Sequence, residues 1–92
     1  MIKLERVDEM QFTEDNEEFD IDNYLIEIKS GLATRQFHIT VDFINQELTG
    51  DCVAYGGWFD IDTDECIEIM ELFLIDNKPN RDFTHILNKL KK

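Results

Sequence analysis

Residues 24–43 read Tyr24-Leu25-Ile26-Glu27-Ile28-Lys29-Ser30-Gly31-Leu32-Ala33-Thr34-Arg35-Gln36-Phe37-His38-Ile39-Thr40-Val41-Asp42-Phe43. Tyr24, Ile26 and Ile28 alternate with Leu25, Glu27 and Lys29. Phe37, Ile39, Val41 and Phe43 alternate with His38, Thr40 and Asp42. A period of two marks a strand buried on one face. Ser30-Gly31 opens a turn between the two runs, so they form an antiparallel hairpin with one face toward a core.

Toward the N-terminus the alternation loosens. Ile2, Leu4, Met10 and Phe12 predict an edge strand over 1–12 with an irregularity near Val7-Asp8. Residues 13–22 read as an acidic connection, too charged to pack except through Phe19 and Ile21. Toward the C-terminus, Gly50, Gly56 and Gly57 break the chain around a short strand at 52–55. Trp58, Phe59 and Ile61 then resume an extended pattern.

Residues 66–75 admit two readings. Asp62 with Glu65 fits a capping box that starts a helix. Three isoleucines and four consecutive large apolar residues fit a strand buried on both faces, which is the favoured reading. After the turn at Asn77-Lys78-Pro79-Asn80, the residues Phe83, Ile86, Leu87 and Leu90 recur at the spacing of an amphipathic helix. Lys89, Lys91 and Lys92 sit at its C-terminal end, where the helix dipole favours cations. The expected fold is α+β in one domain over 1–92: an antiparallel sheet of four to five strands with one C-terminal amphipathic helix packed on one face.

Leu, Ile, Val and Phe make up 29 of 92 residues, enough for a folded core despite the charge. The net charge is −12, which argues against direct nucleic-acid binding because phosphates are held by Lys and Arg. The charge is also uneven. Residues 7–28 carry nine acids and 36–77 carry ten, with no Lys or Arg in either stretch, whereas five of the nine basic residues fall within 78–92. Cys52 and Cys66 form no C-x-x-C pair. No run approaches a membrane span, and residues 1–6 lack the apolar core of a secretory signal. A cytoplasmic protein with reduced thiols is expected.

The sharpest local pattern is at 60–71, where carboxylates fall at positions 1, 3, 5, 9 and 12 of a calcium-type loop. Glu65 occupies the position that needs glycine, so an acidic turn is the simpler reading, with Asp60, Asp62 and Asp64 the ligands if a divalent cation binds. No cofactor is implied. Ser30 is the single serine and lies in a turn, and nothing pairs Cys52 or Cys66 with His38 or His85, so no enzyme is expected. Trp58 fits either a core residue beneath the helix or an exposed anchor, with the core favoured. The best functional candidate is the acidic surface itself, which would steer association with a basic protein surface as an inhibitor or nucleic-acid mimic does. The carboxylates expected to carry it are Glu14, Asp15, Glu17, Glu18, Asp20 and Asp22, together with Asp60, Asp62, Asp64 and Glu65. On this reading the sheet side bears the charge and the helix closes the core. A homo-oligomer is the remaining alternative, joined through an edge strand or through 66–75.

Overall fold

The computed structural model describes residues 2–14, 17–79 and 81–92, with side chains from 20 onward except those of Ser30 and Asn80. Five strands, β1 (Ile2–Glu14), β2 (Glu17–Ser30), β3 (Ala33–Asp42), β4 (Glu47–Ala54) and β5 (Gly57–Ile61), precede two helices, α1 (Thr63–Asp76) and α2 (Thr84–Leu90). The strands form one antiparallel meander in the order β1-β2-β3-β4-β5. The β2–β3 hairpin pairs Ile26 with Phe37 and Tyr24 with Ile39, as the alternation predicts. β1 is an edge strand whose register shifts between Val7 and Met10, which places the expected irregularity.

The period of two sorts the side chains. Tyr24, Ile26, Phe37, Ile39, Val41, Leu48 and Cys52 point to one face and are buried. Both helices cover that face, with α1 lying over β4. Inside the resulting layer Tyr24 meets Phe73 edge-on at 5.0 Å and Phe83 at 5.9 Å. The opposite face carries the alternate residues of the same strands.

Residues 66–75 belong to a helix, contrary to the favoured strand. Cys66, Ile67, Ile69, Met70 and Phe73 are buried, while Glu68, Glu71, Leu72 and Ile75 are exposed. As a strand this run would put half its apolar groups on the open face of the sheet. As a helix it turns all five inward, at roughly 1.5–3 kcal/mol for each large side chain removed from water. β propensities span only about 1 kcal/mol and are outweighed. Asp62 starts the helix by accepting a hydrogen bond from the Glu65 backbone N–H at 2.8 Å. The C-terminal helix is present but short, with Ile86 and Leu87 buried and Phe83 buried just ahead of it.

Two further expectations are corrected. The described residues of 13–22 belong to strands rather than to a loose connection: Glu14 pairs with Glu17, Thr13 with Glu18 and Phe12 with Phe19, at the end of the β1–β2 pairing. Ladder hydrogen bonds tolerate charge where alternate side chains reach water. Trp58 is not in the core but 53% exposed, because its register partner is Val53 on the open face.

Candidate functional site

The open face brings together residues that lie far apart in sequence. His38 of β3 pairs with Asp51 of β4, and Asp51 pairs with Asp60 of β5, so the three form one row across the sheet. Thr40 and Thr49 form the adjacent row. With Asp62 and Thr63 at the entry to α1, these residues line a cleft of about 560 Å³.

The β4–β5 turn explains why the two carboxyls meet. Tyr55 and Gly56 both have positive φ, 50° and 79°, as a two-residue type I′ turn requires. In such a hairpin Ala54 and Gly57 exchange backbone hydrogen bonds, and the pairs alternate from there. Cys52–Phe59 is therefore a hydrogen-bonded pair, and Asp51–Asp60 a non-hydrogen-bonded pair in which side chains approach most closely. The hydrogen bond that a protonated Asp51 donates to the Asp60 carboxylate, then burial, then the charge of Asp60 raise the Asp51 pKa above the ordinary carboxylate range, and His38 opposes the shift.

His38 is held by its other nitrogen. Nε2 lies 3.1 Å from Asn23 Oδ1, which also accepts from Thr40 Oγ1 at 2.9 Å. With Nε2 as the donor, Nδ1 is left facing the Asp51 carboxylate at 4.0 Å. A proton taken up at Nδ1 would make that contact an ion pair. His38 also meets Trp58 edge-on at 6.4 Å. The indole thus stands beside the carboxyl pair, with Phe59 of the same strand also 53% exposed.

The predicted site residues scatter. Asp15 and the side chains of Glu14, Glu17 and Glu18 lie outside the described residues. Asp20 is paired with Arg81, whose guanidinium also stacks 3.7 Å over the Phe43 ring. Asp22 is 1% exposed and accepts a hydrogen bond from the Tyr24 hydroxyl at 3.2 Å, so it is a core carboxylate and presents nothing to a partner. Asp60 joins the row on the open face, Asp62 caps α1, and Asp64 and Glu65 occupy its first turn. The calcium-type loop is broken because the chain enters a helix at Thr63, and among the described residues no three His, Cys, Asp or Glu side chains converge as metal ligands.

The charge is not confined to the sheet side either. Asp64, Glu68, Glu71 and Asp76 are exposed along α1. Among the described residues, the two sides differ in which ion pairs they hold. Arg35 approaches Glu65 at 3.8 Å, Arg81 pairs with Asp20, and Lys91 reaches Glu71 at 2.9 Å, all on the helical side. On the open face, the ion-pair contact seen among the described residues is that of Asp51 with His38.

The thiols lie on the other side of the sheet. Burial first, then the charges of Asp62, Glu65 and Asp51, push the Cys66 pKa up to about 11, so the group is a neutral core side chain at physiological pH. Sequence reasoning missed Asp51 as a site residue. The signal was present, since Asp51 and Asp60 are equidistant from the Tyr55-Gly56 turn. Neither a family model, nor a curated protein, nor a solved structure matches this chain.

Proposed function

We propose that this domain is a non-enzymatic acidic interaction module that binds a positively charged surface of a protein partner. The binding face in this reading is the open face of the sheet at β4 and β5. The observation that carries it is Trp58, half-exposed on the open face beside the Asp51–Asp60 pair. An aromatic anchor next to a pair of carboxylates is the composition of a binding hot spot for a cationic surface. Trp58 offers a ring face to a Lys or Arg, a contact worth about 0.5–2 kcal/mol depending on its desolvation. The carboxylates speed encounter through long-range attraction.

The test is affinity capture at rising ionic strength with the native chain and with Trp58→Ala. The native chain should retain its partner at low salt and release it as salt screens the charges, and the variant should retain less at every salt concentration. Capture that is indifferent both to salt and to the loss of Trp58 would overturn the reading.

A further inference from the structure

We propose that β5 receives an extended basic segment of the partner as a sixth, edge-added strand, an inference that rests on the binding face assigned above and specifies how it is used. β5 is the last strand of the sheet, and α1 covers β4 rather than β5. Register then determines what β5 presents. Gly57, Phe59 and Ile61 direct their backbone groups to β4, because they belong to the hydrogen-bonded pairs counted from the Tyr55-Gly56 turn. Trp58 and Asp60 direct their N–H and C=O groups away from the sheet. Four polar backbone groups thus stand in a row along an open edge, which is the template for strand addition.

The side chains of the same two residues specify the occupant. Trp58 and Asp60 both project onto the open face, where Asp51 lies beside Asp60. An incoming strand would place its alternate side chains next to this row. Cations at those positions meet the carboxylates directly and the indole face diagonally. A second copy of the chain would instead join two bodies of net charge −12 and set Asp51 and Asp60 of each near the other's. A charged residue on a short edge strand is a common device against self-pairing. The same residue is complementary to a basic strand.

The experiment uses the full chain and a short synthetic peptide of alternating Lys and Val, beside an otherwise identical peptide N-methylated on alternate backbone nitrogens. Amide exchange is followed at residues 57–61 at low salt. Strand addition should slow exchange at Trp58 and Asp60 on the order of tenfold or more, leave Phe59 unchanged because it is already bonded to β4, and fail with the N-methylated peptide. If both peptides bind equally without protecting Trp58 and Asp60, strand addition is overturned while charge-driven recognition stands. If neither binds, the basic-partner reading falls with it. Protection that grows with protein concentration in the absence of peptide would make a second copy the occupant and overturn the proposal.

Discussion

Gly50 of β4 lies directly beneath Cys66 of α1: a methyl group at Gly50 would stand 3.0 Å from the Cys66 sulfur and 2.6 Å from Ile39 Cδ1. The absence of a side chain there lets the first turn of α1 settle onto the sheet. The His38 carbonyl oxygen, also 3.0 Å from that point, is backbone and cannot move aside without disturbing the β3–β4 ladder. Gly50→Ala should therefore cost about 1–3 kcal/mol through overpacking. Urea unfolding measures this, and an unchanged midpoint would show that the helix does not bear on the strand at Gly50.

The Asp51–Asp60 pair makes stability depend on pH. Its folded state holds a proton more tightly than the unfolded chain does, since the Asp51 pKa is raised mainly by the hydrogen bond to Asp60. A raised folded pKa contributes stability below the unfolded value and loses it as pH rises through the folded value. Asp60→Asn removes the like-charge contact, so it should stabilise the fold at neutral pH by about 0.5 kcal/mol, the scale of exposed cross-strand pairs. The gain should vanish at acid pH, where both carboxyls are protonated. Thermal melts across that range check it, and a variant less stable than the native chain at neutral pH would refute it.

Asp62 caps α1 through its contact with the Glu65 N–H. Asp62→Ala should cost about 1 kcal/mol, and Asp62→Asn, which keeps the acceptor, should cost much less. Equal losses in the two variants, read by denaturant unfolding, would mean that the charge rather than the hydrogen bond matters.

Tyr55 occupies the left-handed region at the tip of the β4–β5 hairpin and is fully exposed. The conformation costs an ordinary L-residue about 1–2 kcal/mol, and Asn tolerates it better. Tyr55→Asn should raise stability by about 0.5–1 kcal/mol, since Asn-Gly is the favoured type I′ pair. A lower melting temperature for the variant would indicate that the tyrosine ring makes a contact worth more than the strain.

Much of this fold was legible from residues 24–43, because alternation over two adjacent runs joined by a turn is a local property. The irregularity in β1 and the apolar spacing of Phe83, Ile86 and Leu87 were legible for the same reason. The candidate site was only half legible. Trp58 and Asp60 were singled out from their neighbourhood in sequence, whereas Asp51 and His38 enter through register, a relation between strands.

Three features were decided by tertiary structure. Residues 66–75 carry a β-like composition and a helical cap at once, and the need to cover one face of a sheet already five strands wide resolves them as α1. Asp22 looks like its acidic neighbours in the chain, yet parity in β2 turns it beneath the helical layer against Tyr24. Trp58 has the composition of a core residue, yet the two-residue turn at Tyr55-Gly56 sets a register that points it outward. By itself the sequence determined the strand-rich α+β class, the central hairpin and the net charge, which depend on periodicity and composition. Only the tertiary structure decided which carboxylates face water and which meet each other, because a shift of one residue in strand pairing exchanges the two faces of a sheet.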